Sequence, residues 1–410
     1  MARTTEKSYW AAMFFSIVIP TYNRAELLGQ AIQSALAQTY SNLEILVVDD
    51  GSGDDTKRLI AKFQPSVSYV RQENQGKSAA VNLGIASARG DIILVLDDDD
   101  ILPAHAIAKH AEALAGSPNA NFSYGRFLRF KGPKLPMASD VLEEEFVPTR
   151  DPRRLVVKLM ENCFLTNPTW AVRRAAQMKA GLYDRRLAYS QDYDMVLRYA
   201  KENEGIFVDA HVLYQRKHVS LRGPRSEQAL VADTVEKWVK YDRLIFEEID
   251  RGWDLAEFRP FDQNAPPDMA DASPFLQKAV ILFQRKVYGG AMRALRAYRS
   301  ALETRPPARL DYPIAAGLLG CRYGIDDLID DEEHGIGIAK ELSEMRFPFW
   351  MRVALGSQIR WRIQTSLRAG DVSKARKLLH FSRNAFGHAA AMAVLGSSYL
   401  GGRGEWMRAA

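Results

Sequence analysis

The first hundred residues alternate short apolar stretches with amphipathic ones, and this alternation restricts the fold more than any other feature of the sequence. The runs FFSIVIP, LEILVV, SVSYV and DIILVL are predicted to be strands, and AELLGQAIQSALAQ and SAAVNLGIASA are predicted to be helices between them. Strands that are apolar along their whole length are typical of parallel sheets with helices on both faces. The sequence therefore predicts a mostly parallel α/β sheet in this half of the chain.

The pattern changes at about residue 226, after which helical patterns follow one another to the end of the chain. Examples are PFLQKAVILFQRKVYGGAMRALRAYRSALE and VSKARKLLHFSRNAF. Two segments that overlap them, YGGAMRALRAYRSALETRP and AGDVSKARKLLHFSRNAF, share a Gly-then-Ala-Leu rhythm seen in helical-hairpin repeats. A chain of 410 residues is also too long for one hydrophobic core. We therefore predict an α/β domain over residues 1–225 and an all-α, repeat-like domain over residues 226–410.

Three of the predicted strands end in polar clusters, namely PTYNR, DDGSGDDT and DDDD. Parallel sheets bind ligands at the carboxyl ends of their strands, so the three clusters are expected at one rim. The four carboxylates of residues 97–100 would repel one another unless a cation lies between them, and Mg²⁺ and Mn²⁺ prefer such oxygen ligands. The cluster therefore predicts a divalent-metal site, with a solvated turn as the alternative. Asp100 itself is expected to begin a helix that has Pro103 near its first turn.

The segment NQGKS at residues 74–78, followed by the strand IILVLDD, imitates a phosphate-binding loop and its acidic strand. Such a loop requires a glycine with four residues between it and the Gly-Lys pair. Arg71 occupies that position, which argues against a P-loop nucleotidase. A nucleotidyltransferase is also disfavoured, because PTYNRAELL lacks a glycine-rich basic loop after the first strand.

Four blocks of sequence resemble, in order, the inverting family 2 glycosyltransferases, which have the A-type glycosyltransferase (GT-A) fold. The blocks are SIVIPTYNRAELLGQAIQSALAQTYSNLEILVVDDGSGDDT, NQGKSAAVNLGIASARGDIILVLDDDD, AVRRAAQMKAGLYDRRLAYSQDYDMVLRYA and LYQRKHVSLR. They cover about residues 15–222, and the helical remainder lies outside the resemblance. The resemblance implies a Rossmann-like, nucleotide-diphospho-sugar transferase-like sheet and the transfer of a sugar from a nucleotide donor.

The resemblance also implies a role for each residue of the predicted donor site. Pro20 and Tyr22 would line the nucleobase pocket and Asp50 would hydrogen-bond the base, whereas Asp97 and Asp98 would lie beside the ribose and diphosphate. The alternatives are packing at the rim for Tyr22 and a turn or helix cap for Asp50.

The same resemblance implies a metal shell and a catalytic base. Asp99 matches the direct metal ligand, and His218 matches a histidine that completes the shell, although a lone histidine is also often structural. Asp192 matches the general base, with a simple helix cap as the alternative. The family places a glutamate before this aspartate, and Gln191 stands there instead. Lys77 could meet a phosphate or could simply be solvated.

These assignments predict a metal-dependent inverting glycosyltransferase that uses Mn²⁺ or Mg²⁺ and a nucleotide-sugar donor. The family resemblance favours UDP as the nucleotide of that donor. The expected acceptor is a hydroxyl of a glycan, a lipid-linked sugar or a protein, in a pathway such as polysaccharide biosynthesis. The alternative function is a catalytically inactive, glycosyltransferase-like scaffold. The presence of Gln191 in place of the family glutamate and the long helical region are the reasons to consider it.

Composition adds expectations about location and partners. The net charge of +5 is mild and spread along the chain, which argues against nucleic-acid recognition. The two cysteines form no disulfide framework and no signal peptide is evident, so a cytoplasmic location is expected. Within the cytoplasm, the protein could also bind peripherally at the inner face of the membrane. Peripheral membrane binding and self-association through the helical region are the further partner hypotheses.

Overall fold

A computed structural model describes residues 13–132, 143–144, 147–217, 234–260, 272–305, 307–308, 310–320 and 323–396. The chain divides into two compact units between Tyr241 and Asp242. The domain boundary predicted at residues 225 and 226 lies in a segment outside the described residues.

The first unit is built on an eight-stranded, mostly parallel sheet. Its strands are β1 (Phe15–Thr21), β2 (Leu43–Asp49), β3 (Ser68–Arg71), β4 (Ile92–Val95), β5 (Phe122–Lys131), β6 (Glu143–Glu144), β7 (Trp170–Arg173) and β8 (Gly205–Lys217). The strand order is β3-β2-β1-β4-β7-β5-β6, and β8 pairs with β5. Neighbours among β1 to β4 run parallel, as do β5 and β8, whereas β7 is antiparallel to both β4 and β5.

Helices cover this sheet, as the alternating pattern predicts. They are α1 (Ala25–Leu36), α2 (Thr56–Ala61), α3 (Lys77–Ser87), α4 (Ala106–Gly116), α5 (Pro152–Glu161), α6 (Arg174–Ala180) and α7 (Gln191–Glu202). Every residue of β1 and of β4 is buried, because helices pack on both faces of these central strands. Phe15, Ile17 and Ile19 of β1 share a core with Leu28 and Ile32 of α1.

The described residues from 234 onward form helices joined by turns and loops. The helix α8 (Thr234–Gly252) spans the division between the units, and the second unit contains α9 (Ser273–Gln284), α10 (Tyr288–Ala301), α11 (Asp311–Ala315), α12 (Asp326–Asp330), α13 (Glu332–Glu344), α14 (Phe349–Gly356), α15 (Ile359–Arg368), α16 (Val372–Phe386) and α17 (His388–Gly396). No helix in the described ranges combines the length and apolarity needed to cross a bilayer. The predicted fold class, a GT-A-like sheet followed by an all-helical region, is confirmed.

One long helical pattern of the sequence is divided into two helices in the structure. The run from residue 274 to residue 303 breaks after Gln284, and Lys286 adopts a left-handed backbone conformation with φ of 65°. The Nζ atom of Lys286 donates to the carbonyl oxygen of Gly324 and to Asp327. The turn therefore depends on contacts with residues about 40 positions away, which a local periodicity does not contain.

Candidate active site

The polar clusters that follow β1, β2 and β4 meet at one edge of the sheet. Thr21 at the end of β1 is in register with Asp49 at the end of β2, and Val18 is in register with Val95 of β4. The Thr21 hydroxyl then donates a hydrogen bond of 2.8 Å to Oδ2 of Asp98. The parallel topology thus assembles the rim that the sequence predicts.

The aspartates that follow β4 form a compact carboxylate cluster. Asp97, Asp99 and Asp100 each offer one oxygen, and these three oxygens lie within 4.8 Å of one another. Three carboxylates at such a spacing match the ligands that Mg²⁺ and Mn²⁺ prefer, so the donor set fits a hard divalent cation. Sequence reasoning proposed Asp99 and His218 as ligands, whereas the structure brings Asp97 and Asp100 to Asp99. His218 lies outside the described residues.

Arg24 makes the principal ionic contact to this cluster. Its Nη1 atom lies 3.1 Å from Oδ1 of Asp98 and 2.9 Å from Oδ2 of Asp99, so one guanidinium bridges two carboxylates. Burial raises the pKa of Asp98 to about 6, although Arg24 opposes the shift. Arg24 is not among the site residues predicted from the sequence, although it is a cation at the end of PTYNR, one of the polar clusters expected at the acidic rim.

Arg216, near the end of β8, holds the turn that contains Asp99 and Asp100. Its backbone N–H donates to Oδ1 of Asp100 at 2.8 Å, and its Nε atom donates to the carbonyl oxygen of Asp99 at 3.0 Å. The guanidinium also donates to Gln30 at 2.9 Å, and it lies 4.5 Å from the centre of the Phe130 ring. The sequence analysis placed Arg216 in the block LYQRKHVSLR beside His218 but gave it no role of its own.

The expected role of Asp100 as the start of a helix is wrong. The helix α4 begins at Ala106, with His105 as its cap, and the Asp100 side chain is buried against the Arg216 backbone. Burial and the neighbouring Asp99 and Asp97 raise the pKa of Asp100 well above its ordinary value. A carboxyl that is enclosed in this way cannot serve as an exposed helix cap.

Lys77 connects the cluster to the predicted base. It is the first residue of α3, and its Nζ atom lies 2.8 Å from Oδ1 of Asp97. Burial opposes the charge on this lysine, but Asp97, Asp192 and Asp99 outweigh it and raise the pKa of Lys77. In the structure Lys77 therefore pairs with Asp97 of the carboxylate cluster and interacts electrostatically with Asp192.

Asp192 lies in the first turn of α7 and is partly buried. Its Oδ1 atom accepts a hydrogen bond of 2.9 Å from the backbone N–H of Tyr193. Burial raises the pKa of Asp192, Lys77 opposes the shift, and Asp97 adds to it. The segment before α7 is tied to α3, because Tyr183 and Asn82 exchange two hydrogen bonds of 2.8 and 2.9 Å.

The neighbours of Asp192 differ from it in environment. Gln191, the residue that replaces the family glutamate, is buried at the start of α7. Asp194 forms an ion pair of 2.8 Å with Arg198, whose guanidinium also donates to the carbonyl oxygen of Ala180. Asp194 is therefore engaged within the helix and the loop that packs on it.

Asp50 organises the loop beside the predicted nucleobase pocket. Its two carboxylate oxygens accept hydrogen bonds from the side chain of Gln72 and from the backbone N–H groups of Gln75 and Gly76. The preceding Asp49 is fully buried. It accepts hydrogen bonds of 2.7, 2.7 and 2.8 Å from Ser52, Tyr69 and Arg71, respectively.

A cleft of about 460 Å³ opens next to this loop. Its lining consists of Gly51, Arg71, Gln72, Glu73 and Asn74. The two other residues expected at the nucleobase are placed by β1: Pro20 is buried within the strand, and Tyr22 follows it with a partly buried side chain.

Comparisons with known proteins relate this chain to glycosyltransferases. The family model described as glycosyl transferase family 2 matches residues 16–179. An uncharacterized glycosyltransferase of Rickettsia typhi is 28% identical over 247 residues, which are 56% of this chain and 74% of that protein. A counterpart in Rickettsia prowazekii is 30% identical over 212 residues, or 49% of this chain, and the match spans only 63% of its length.

The fold also resembles that of a solved structure, residues 1–349 of S. aureus TarS. The TM-score is 0.50 at 16% sequence identity, with 89% of this chain and 90% of that chain covered. The same protein in complex with UDP-GlcNAc gives a TM-score of 0.51 at 17% identity. At such low identity the likeness concerns the fold, and the family assignment comes from the sequence match: residues 16–179 of this chain match the glycosyl transferase family 2 model.

Proposed function

We propose that the first unit transfers a sugar from a nucleoside-diphosphate sugar to a hydroxyl group, with inversion at the anomeric carbon. The observation that supports this most directly is the arrangement around Lys77. Its ammonium pairs with Asp97 of the carboxylate cluster at 2.8 Å, and its pKa responds to Asp192, so the proposed metal site and the proposed base share one electrostatic environment.

In the proposed reaction Asp192 removes the proton of the acceptor hydroxyl while the acceptor oxygen bonds to the anomeric carbon. The bond between that carbon and the diphosphate oxygen breaks at the same time, and no covalent enzyme intermediate forms. The raised pKa of Asp192 suits this role, because a more basic carboxylate is a stronger proton acceptor.

The proposed donor site spans the rim from the cleft to the cluster. We assign the nucleobase of the donor to Pro20, Tyr22 and the loop that Asp50 holds. We assign its diphosphate to Lys77 together with Asp97 and Asp98. A divalent cation, Mn²⁺ or Mg²⁺, held by Asp97, Asp99 and Asp100 would offset the negative charge of the leaving diphosphate. His218 stays a predicted further ligand. UDP is the proposed nucleotide, and TarS, which shares the fold, was solved with UDP-GlcNAc.

Thermal unfolding of the full chain with nucleoside diphosphates and nucleotide sugars, with and without Mn²⁺, tests the donor site. A ligand at one hundred times its Kd should stabilise the protein by about 2.7 kcal/mol. The shift should require Mn²⁺ and should be lost in Asp99→Asn. The control Asp209→Asn makes the same change at an exposed residue of β8 and should keep the full shift.

A sugar-transfer assay on Asp192→Asn then tests the base. Loss of proton abstraction should lower kcat by about 10²–10⁴-fold, while the nucleotide-induced thermal shift should persist. If nucleotides stabilise the wild type but Asp192→Asn transfers sugar at the normal rate, the assignment of the base is wrong. If no nucleotide stabilises the wild type with any metal, the scaffold function replaces the enzymatic one.

A further inference from the structure

The second unit contains a cavity of about 310 Å³ that the proposed transfer reaction does not use. It lies between the end of α13, the start of α14 and the junction of α16 with α17. Its lining consists of Ser343, Arg346, Phe347, Arg352, Ala385, Phe386 and Gly387. The only charged residues in this lining are the two arginines, so the cavity is positively charged and contains no acidic side chain.

Arg346 has an unusual backbone conformation for its residue type. It follows the last turn of α13 with φ of 48°, a left-handed conformation in which glycine is common. A residue with a side chain costs about 1–2 kcal/mol there. Its side chain is exposed, and within the described residues it forms no ion pair. An exposed arginine at a strained position that forms no ion pair with a carboxylate of the described residues is available to an external anion.

Arg352 is held in the cavity wall by its neighbours. Its Nη1 atom donates to the carbonyl oxygen of Phe386 at 3.1 Å, and its guanidinium lies 6.0 Å from the centre of the Phe349 ring. The Nε atom is buried and has no acceptor in the described part of the chain. A guanidinium has five N–H donors, so most of them remain for a ligand.

Gly387 makes this position of the guanidinium possible. A Cβ atom added at Gly387 would lie 2.9 Å from Nη1 of Arg352, and the residue has φ of 84°. The backbone conformation therefore favours glycine where the chain passes the arginine, and a Cβ atom there would displace the end of the Arg352 side chain.

The surrounding sequence is strongly basic. Between Arg346 and Arg383 there are nine lysine and arginine residues and a single acidic residue, Asp371, although the whole chain has a net charge of only +5. Lys374 and Lys377 pair with Asp326 and Asp330, and the excess of positive charge that remains raises the local concentration of anions.

We infer that this cavity binds a phosphate group through Arg346 and Arg352. Two guanidinium groups present parallel N–H donors that match the oxygens of a phosphate. The phosphate could belong to a small soluble molecule or to a lipid headgroup, which supply the same chemistry. This inference concerns the second unit and does not depend on the proposed donor site.

Phosphorus NMR of inorganic phosphate, titrated with the full chain at constant ionic strength, tests the site. Saturable line broadening is expected for the wild type. Arg346→Gln should weaken binding by about tenfold, because it removes a charge-assisted hydrogen bond. This variant should fold normally, since the Arg346 side chain is exposed. Arg368→Gln, the same change at an exposed arginine of α15 outside the cavity, should bind phosphate as the wild type does.

Two further arms separate this site from others. Lys77→Met, which alters the proposed donor site, should still broaden the phosphate line. If this variant no longer broadens the line, the phosphate binds in the first unit and the inference is overturned. Co-sedimentation with phosphatidylcholine vesicles, with and without phosphatidylglycerol, identifies the source: binding that needs phosphatidylglycerol and Arg346 indicates a lipid headgroup, and its absence indicates a soluble phosphate. The inference also fails if broadening never saturates, or if Arg346→Gln and Arg368→Gln weaken it equally.

Discussion

Each of the four aspartates that follow β4 has a basic or polar partner within the chain. Asp97 pairs with Lys77, Asp98 and Asp99 share Arg24, and Asp100 accepts a hydrogen bond from the backbone of Arg216. Like charges that are crowded out of water favour protonation unless cations offset them. These contacts explain how a run of four aspartates can be folded into the end of a buried strand.

Arg24→Met should therefore destabilise the protein and increase its response to metal. Loss of the bridge removes the Arg24 contact from Oδ1 of Asp98 and Oδ2 of Asp99, and we expect the free energy of unfolding to fall by about 1–3 kcal/mol. Because Mn²⁺ can replace the missing positive charge, it should raise the Tm of this variant more than that of the wild type. Arg71→Met, which breaks the ion pair with Asp49, is the control and should show the wild-type metal response. Equal increments in all three proteins would contradict a role for Arg24 as the counter-charge.

Lys77→Met should move the acid limb of the pH–rate profile to higher pH. Asp192 acts as a base only when ionised, so kcat should rise as pH increases through its pKa, which is already above the ordinary value. Lys77 lowers that pKa, and its removal should therefore raise it further. The measurement is kcat against pH at saturating donor, with Lys57→Met, an exposed lysine of α2, as the control. An acid limb that does not move would show that Lys77 and Asp192 are not coupled.

At the scale of elements, the position of α3 is set by the close approach of a glycine to the sheet. A Cβ atom on Gly84 would lie 2.2 Å from a methyl group of Val18 in β1 and 3.2 Å from one of Val48 in β2. The helix can therefore lie directly on these two strands, and Lys77 at its first turn reaches Asp97, which follows the neighbouring strand β4. The packing of a helix and the placement of a site residue thus have one cause.

Gly84→Ala should lower the free energy of unfolding by about 1–3 kcal/mol, because the added methyl overpacks a closely packed interface. The matched control is Gly29→Ala in the middle of α1, where the nearest atom, in the Leu59 side chain, is 3.6 Å away. That variant should be neutral or slightly more stable, since alanine favours the helix. Denaturant unfolding of both variants provides the comparison, and similar stabilities would mean that α3 does not depend on the close contact.

At the scale of the whole molecule, each unit has its own buried core. The core of the first unit surrounds the sheet. The second unit buries apolar residues of α9 and α10 together with internal polar contacts, such as the ion pair of 2.9 Å between Arg285 and Asp242. Units with separate cores can unfold separately.

Differential scanning calorimetry should therefore resolve two transitions. Gly84→Ala should lower the Tm of one transition only, and phosphate should raise the Tm of the other only, because the substitution and the proposed ligand act on different units. A single transition that responds to both perturbations would show that the two units unfold as one.

The sequence alone determined the architecture and most of the rim. Apolar runs and helical periodicity predicted the strands β1 to β4 and the helices between them, because the spacing of apolar residues along the chain indicates which face of each element is buried. Parallel strands then had to bring Asp50 and the aspartates of residues 97–100 to the same edge. Asp192 could be named through the family resemblance, although its role is still a prediction.

Only the tertiary structure decided which groups neutralise those aspartates. Arg24 lies 75 positions from Asp99, and Arg216 lies 117 positions from it, so no local pattern connects them. The structure also placed Asp100 inside the rim and not at a helix start, and brought two arginines of the helical unit to one cavity. Hydrophobic patterning is local and repeats along the chain, whereas the pairing of charges depends on distances in space that arise only when the chain has folded.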